Sequence, residues 1–194
     1  MTTLADPKVI LRRRALSRRR ALDPDRRVAF SARLVDEGLR LARLFTPRVV
    51  SGFHPIGDEP DAVALLGALA HAGFTTALPV TSRGLPLTFR NWRPGDATIP
   101  GPMNIPEPTP EAGEVAPDML FVPLAAFDRR GHRIGYGAGH YDRTLAGLRA
   151  RGPVHAVGVA YSVCEVEAVP DKPHDQRLDF ILTESELIDA RDIR

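Results

Sequence analysis

Cysteine is nearly absent from this 194-residue chain, with Cys164 its single instance. One thiol builds neither a disulfide framework nor a thiolate metal cluster, so a reducing cytoplasm is the expected compartment. Lysine is almost as scarce: Lys8 and Lys172 are the two present, and arginine supplies every other fixed positive charge. Such a bias toward the planar guanidinium points to lysine where a compact ammonium is needed, which draws attention to Lys8. Aromatic residues make up 6% of the chain, and Trp92 is its one tryptophan. No apolar run approaches the length of a membrane span, and the N-terminal segment lacks the core of a signal peptide. No membrane partner is expected. Net charge is also small, at +2, so the whole molecule is not a polycation.

What is present is an ordinary globular composition, 43% hydrophobic and 26% charged, over a length that suits one domain spanning residues 1–194. Positive charge is concentrated near the start, in Lys8, Arg12, Arg13, Arg14, Arg18, Arg19, Arg20, Arg26 and Arg27. A cluster of this kind is either a solvated helix face or a nucleic-acid surface. It lacks the interleaved aromatics on which bases stack, and nucleic acid is not expected as a partner. Nothing in the pattern indicates a coiled coil or a repeat face, and a monomer is expected.

Hydrophobic periodicity predicts a basic helix over residues 4–22, with Val9, Leu11, Leu16 and Leu22 among its apolar positions. Asp23-Pro24 then supplies a capping carboxylate followed by proline at the first helical position. A second helix is expected over residues 25–44, with Val28, Leu34, Val35, Leu39 and Leu41 as core candidates, ended by Thr46-Pro47. Beyond it the pattern alternates. Strands are expected at 49–53, 75–80, 85–90, 119–122, 154–160 and 180–182, a helix at 60–71, and a short terminal helix opening at Thr183-Glu184. Residues 93–117, rich in proline and glycine, read as an irregular surface excursion. The fold class is therefore α/β: an open, largely parallel sheet flanked by helices, Rossmann-like and three-layered, with two N-terminal helices. In such sheets ligands collect beyond the carboxyl ends of the strands. Residues 54–61, 133–143 and 170–179 qualify, and their convergence is the structural expectation.

The most informative stretch is Arg-Ile-Gly-Tyr-Gly-Ala-Gly-His-Tyr-Asp-Arg at residues 133–143. Gly135, Gly137 and Gly139 permit sharp turns and leave backbone N–H groups uncovered, which suits phosphate oxygens. A helical pattern with Leu145 and Leu148 follows, so the loop feeds a helix N-terminus, where a partial positive charge and free donors favour anions. Asp142 and Arg143 bring a carboxylate and a guanidinium to the same point. The loop matches neither the Walker pattern, which ends in Gly-Lys-Ser/Thr, nor the dinucleotide Gly-x-Gly-x-x-Gly fingerprint.

In order along the chain, Lys8-x-x-x-Arg12, Glu59, Trp92-x-Pro94-Gly95, Glu107-Pro108, Val122-Pro123, Phe127-Asp128, Gly131, residues 133–143 and Pro170-x-x-x-His174-Asp175 resemble the 5-formyltetrahydrofolate cyclo-ligases, also called 5,10-methenyltetrahydrofolate synthetases. That resemblance implies an ATP- and Mg²⁺-dependent closure of 5-formyltetrahydrofolate into 5,10-methenyltetrahydrofolate, with ADP and phosphate released. Transfer of the γ-phosphoryl group to the formyl oxygen would give an iminium phosphate open to attack by N10. No protein nucleophile is required.

The same resemblance implies ATP contacts from Lys8, Arg12, Arg133, Ile134, Gly135, Tyr136, Gly137, Ala138, Gly139, His140 and Tyr141. Folate contacts would come from His54, Glu59 and residues 136–140, that is Tyr136, Gly137, Ala138, Gly139 and His140. Asp142 and Asp175 would hold Mg²⁺, since hard carboxylate oxygens suit that ion beside phosphate and water. Blander roles exist for several of these residues. Lys8 and Arg12 share a helix face as any two surface cations one turn apart do. Asp142 or Glu59 would serve as helix caps. Trp92 either stacks on a ligand ring or simply packs. Two positions depart from the family pattern: His140 stands where tyrosine is frequent, and Ala138 where glycine is frequent. A folate- or nucleotide-binding module without catalysis is the alternative from another class.

Overall fold

The computed structural model describes residues 6–192. Helix α1 (Pro7–Arg20) starts where Asp6 accepts from the Lys8 N–H at 2.9 Å and proline takes the first helical position. Its last turn carries Arg18, Arg19 and Arg20, a favourable placement beside the helix C-terminus. The helix buries only Ala15 and Arg19. Val9, expected among the apolar positions, is instead 48% exposed. At about 100° per residue it lies roughly 120° round the helix from Ala15, off the face that packs. Leu4 lies outside the described residues.

Helix α2 (Pro24–Phe45) is capped by Asp23, which accepts from the Asp25 N–H, and ends at Thr46 in a left-handed conformation. It buries Phe30, Leu34, Gly38, Leu41 and Ala42. Val28, predicted as core, points to solvent at 71% exposure, because the buried stripe runs at 30, 34, 38 and 41 and position 28 falls outside it.

The remaining elements are β1 (Val49–Ser51), α3 (Ala62–His71), β2 (Thr75–Val80), β3 (Thr88–Asn91), β4 (Thr98–Pro100), β5 (Pro106–Pro108), β6 (Glu114–Val115), β7 (Met119–Pro123), β8 (Ala126–Phe127), β9 (Arg133–Ile134), α4 (His140–Arg149), β10 (His155–Val159), β11 (Phe180–Leu182) and β12 (Leu187–Asp189). Eight strands form the main sheet in the order β12-β11-β10-β7-β1-β2-β3-β6. Its five central strands pair in parallel, and β12, β3 and β6 add antiparallel edges. Fully buried residues of β7 and β10, such as Leu120, Phe121, Ala156 and Val157, form its centre, as expected for strands covered on both faces.

Two further expectations are corrected. The predicted terminal helix is β12: Thr183 Oγ1 accepts from the N–H groups of Ser185 and Glu186, and this tight turn folds the chain back against β11. Residues 93–117 are not wholly irregular, since they contain the β4–β5 hairpin and edge strand β6. Short, proline-bearing strands give little periodic signal.

The sheet order places the site. From the adjacent pair β1 and β7, the connection through α3 leads to β2 on one side, whereas that through α4 leads to β10 on the other. Right-handed crossovers in opposite directions put α3 and α4 on opposite faces of the sheet. The chain ends leaving β1 and β7 therefore diverge and open a crevice.

Candidate active site

The crevice is a cleft of about 730 Å³, and all the predicted site residues line it. The loop after β1 brings His54 and Glu59, β9 and the segment after it bring residues 133–142, α1 brings Lys8 and Arg12, and the segment before β11 brings Asp175. The three segments expected to converge do so.

The glycine loop leaves the two-stranded β8–β9 ribbon and enters α4 with Gly137 at φ 102 and Gly139 at φ 64. Gly139 is the helix N-cap and no side chain caps this end, so α4 opens toward the cleft with its first N–H donors uncovered by side chains. Ala138 is not among the positive-φ positions, which is why alanine serves there. Ile134 is buried, and its carbonyl accepts from the Ala125 N–H at 2.8 Å, anchoring the loop to the core. His140 sets its Nδ1 3.0 Å from the Leu85 carbonyl.

Five charged groups, Arg12, Arg133, Asp142, Lys8 and Asp175, converge on the loop and its surroundings. Arg12 Nε donates to the Gly135 carbonyl at 2.7 Å. Arg133, almost fully buried, donates to the Gln176 carbonyl and, at 2.8 Å, to Asp142 Oδ1. That carboxylate oxygen also accepts from the Gln176 N–H at 3.0 Å. Asp142 therefore ties α4 to the segment before β11 and is not the N-cap of its helix. Lys8 Nζ lies 2.5 Å from Asp175 Oδ2, which also accepts from the Lys172 N–H at 2.9 Å. Burial pushes the Asp175 carboxyl up, but the hydrogen bonds from Lys8 and Lys172 and the Lys8 charge outweigh it and hold it below its ordinary value.

Asp142 Oδ1 and Asp175 Oδ2 are thus occupied, and the outer oxygen of each carboxylate makes no hydrogen bond to the described residues. Among those residues no group of three or more His, Cys, Asp and Glu side chains is placed to hold a metal. Two carboxylate oxygens nevertheless fit an ion that takes its other ligands from phosphate and water, as Mg²⁺ does.

A second cluster surrounds Glu59, which is 7% exposed. Its Oε1 accepts from the Tyr136 hydroxyl and its Oε2 from the Ile56 N–H at 2.9 Å. Burial raises the Glu59 carboxyl above its ordinary value, against the opposing effect of those two hydrogen bonds and of Arg19. Tyr136 is raised by burial and by Glu59, so its hydroxyl stays a donor. The helix cap expected as an alternative role for Glu59 is taken by Asp61, which accepts from the Val63 N–H at 2.9 Å. His54 is pushed below its ordinary value by burial, and its Nε2 has no hydrogen-bond partner among the described residues.

Trp92 is buried and meets His54 edge-on, with centroids 5.3 Å apart, rather than facing the cleft. It is a packing residue. Sequence reasoning missed Arg19, whose Nη2 donates to the Tyr136 hydroxyl at 3.2 Å. Helical spacing carried the signal, since Lys8, Arg12, Ala15 and Arg19 recur at intervals of three and four on one face. Glu107 was also without an assigned role. It is buried, accepts from the Thr81 N–H at 2.9 Å, and lines the cleft beside the β4–β5 hairpin.

The model of the 5-formyltetrahydrofolate cyclo-ligase family matches residues 5–184. The chain belongs to this family. A 5-formyltetrahydrofolate cyclo-ligase of Mycolicibacterium smegmatis is 35% identical over 147 residues, covering 70% of this chain and 73% of that protein. The Escherichia coli protein of the same name is 31% identical over 177 residues, covering 88% and 96%. The solution structure of the Aquifex aeolicus 5,10-methenyltetrahydrofolate synthetase superposes with a TM-score of 0.79 at 29% identity, over 96% of this chain and 94% of that one. The cleft and its two clusters sit where the topology of this fold opens.

Proposed function

We propose that this chain closes 5-formyltetrahydrofolate to 5,10-methenyltetrahydrofolate with conversion of ATP to ADP and phosphate. The observation that carries this reading is the union, in one cleft, of an anion-ready loop and helix end with a buried carboxylate whose Oε1 is held by the Tyr136 hydroxyl of that loop. The N–H groups of residues 135–141 and the uncapped start of α4 receive the triphosphate, and Lys8, Arg12 and Arg133 neutralise it. Glu59 accepts hydrogen bonds from the pterin N–H edge, displacing the Tyr136 hydroxyl from Oε1. His54 and residues 136–140 border the same ligand.

The formyl oxygen is an amide oxygen and a poor leaving group. When the γ-phosphoryl group moves onto it, ADP leaves and an iminium phosphate forms; N10 then attacks the formyl carbon and gives up its proton to the phosphate, which departs as hydrogen phosphate as the ring closes. The protein supplies alignment of two ligands and neutralisation of phosphate charge, with no covalent participation. Asp142 and Asp175 would hold Mg²⁺, which would offset phosphate charge there. The family match, the convergence of Lys8, Arg12, Glu59, Asp142 and Asp175, and the paired carboxylates support the reading. The test is the appearance of methenyl absorbance from purified protein, reduced folate and Mg²⁺, run with and without ATP. Product with ATP alone confirms the reading; tight folate binding without turnover favours a non-catalytic binding module and rejects it.

A further inference from the structure

Every arginine on the outer side of α1 faces water, but Arg19 does not: it is 5% exposed at the last turn of the helix. A guanidinium has five donors and no way to shed its charge, so burial demands acceptors. Arg19 spends one donor on the Tyr136 hydroxyl at 3.2 Å. Its Nε and Nη1 are buried without a hydrogen-bond partner among the described residues. Nη1 stops 3.9 Å from Glu59 Oε1, near enough for an ion pair and too far for a hydrogen bond. The carboxylate at the other end is itself almost fully buried.

These three groups form a directed chain. The Tyr136 hydroxyl accepts from Arg19 and donates to Glu59, and the order has one sense because arginine cannot accept. Tyr136 sits on the glycine loop, next to Gly137, and is 41% exposed, so it occupies Glu59 Oε1 as a replaceable partner. Arg19 is fixed from behind: its carbonyl accepts from Arg27 Nη2 at 3.2 Å, which joins the end of α1 to α2. A buried carboxylate is driven toward its neutral form by desolvation, and a protonated Glu59 would offer one acceptor fewer to a ligand N–H edge.

We propose that Arg19 is a positioning residue that keeps Glu59 ionised and aimed into the cleft, and that engages Oε1 when the ligand displaces Tyr136. The assignment rests on the reading of Glu59 as the substrate-binding carboxylate. The other groups facing the pair are the Ile56 N–H, Tyr136 from the glycine loop, Tyr141 from α4, Asp58 beside Glu59 in the chain, and Cys164 beside Arg19. Tyr136, Tyr141 and Cys164 are all raised by burial and stay neutral, and Arg27 is spent on Asp58 at 2.8 Å, so Arg19 is the cation that acts on Glu59.

The experiment titrates the Glu59 side-chain carboxyl by carbon-13 NMR in the full-length protein, with Glu59→Gln identifying the resonance. In Arg19→Met the midpoint rises by one pH unit or more, and Arg19→Lys brings it at least half-way back. The acid limb of kcat/KM for the reduced folate moves the same way, with the loss larger at pH 6 than at pH 8 and borne by the KM for folate rather than for ATP. A Glu59 midpoint unchanged in a folded Arg19→Met overturns the proposal, as does equal loss at both pH values. Should Arg19→Met fail to fold, Arg19→Lys alone decides, since an ammonium too short to reach leaves a partial upward shift. An upward shift in protein that closes no ring upholds the electrostatic role and sinks the functional reading instead.

Discussion

Replacing Gly137 with alanine separates the loop's geometry from its composition. Gly137 holds φ at 102°, beyond the left-handed well near +57° that L-residues occasionally occupy. A left-handed L-residue loses about 1–2 kcal/mol, and 102° is less favourable still. The new Cβ would stand 3.6 Å from Arg12 Nη2, an ordinary contact, so backbone strain alone is being tested. For a chain of this size each kcal/mol lowers the melting temperature by about 2–4 °C, so Gly137→Ala falls by about 2–8 °C if the loop keeps its shape. If the loop relaxes instead, melting is preserved and the KM for ATP rises, because the N–H groups no longer converge. Gly135→Ala is the control: its φ is not in the left-handed region and its Cβ meets nothing within 4 Å. Its stability stays within about 0.5 kcal/mol of wild type. Thermal melts and ATP kinetics on both variants decide the matter. A Gly137→Ala protein with native melting and native ATP KM refutes the reasoning.

Asp128 is buried in the turn ahead of β9 and accepts from the N–H groups of Arg130 and Val169 at 2.9 Å each. Asp128 also accepts from the His132 N–H at 3.3 Å, so Asp128→Ala strips partners from three N–H groups at about 1–3 kcal/mol apiece, and at least roughly 3 kcal/mol is expected by urea unfolding at pH 7. Burial pushes this carboxyl up, but the Val169 N–H and Arg130 outweigh it and hold it below its ordinary value. Its charge-dependent stabilisation is therefore complete above the unfolded value of about 3.9 and vanishes as pH falls through the lower folded value. The gap between wild type and variant should narrow below about pH 4; a constant gap removes the charge from the account. Asp142→Asn keeps the Oδ1 acceptor used by Arg133 and Gln176 while losing the charge. Half-maximal activity should then need at least about tenfold more Mg²⁺, roughly 1.4 kcal/mol, and an unaltered Mg²⁺ dependence takes Asp142 out of the metal site.

The central architecture was legible because its signals are local. Strand 180–182 and the start of α2 at Asp23-Pro24 follow from apolar runs and capping chemistry within a few residues. The glycine loop was legible as a strand-to-helix turn for the same reason. What escaped depends on contacts far apart in sequence. Residues after 182 form a strand because a Thr183 turn lays Ile188 against Ile181, and no helical or strand period is long enough there to decide beforehand. Trp92 carries the same sequence signal whether it stacks on a ligand or packs edge-on against His54. Arg19 was hidden by its neighbours: in a run of arginines, one turned inward looks like the rest until a partner is in place.

That last residue changes what α1 is for. A helix burying only Ala15 and Arg19 has too narrow an apolar stripe to dock by hydrophobic area alone. Its long-range polar contacts run from Lys8 to Asp175, from Arg12 to the Gly135 carbonyl and from Arg19 to Tyr136, and each of those three partners lines the cleft. The helix is therefore held by the site as much as it holds the site. Its arginines divide by face, with Arg12 and Arg19 turned to the loop and Arg13, Arg14, Arg18 and Arg20 left in water. A guanidinium suits this work because its fork reaches a carbonyl or a hydroxyl laterally while its stem covers apolar surface. Lys8 is the exception, placed where a single compact charge meets Asp175 and, on the proposed function, a phosphate. Two ligands entering the cleft would exchange these internal partners for their own oxygens and N–H groups, so the polar groups that dock α1 in the free protein are the same ones that would recognise substrate.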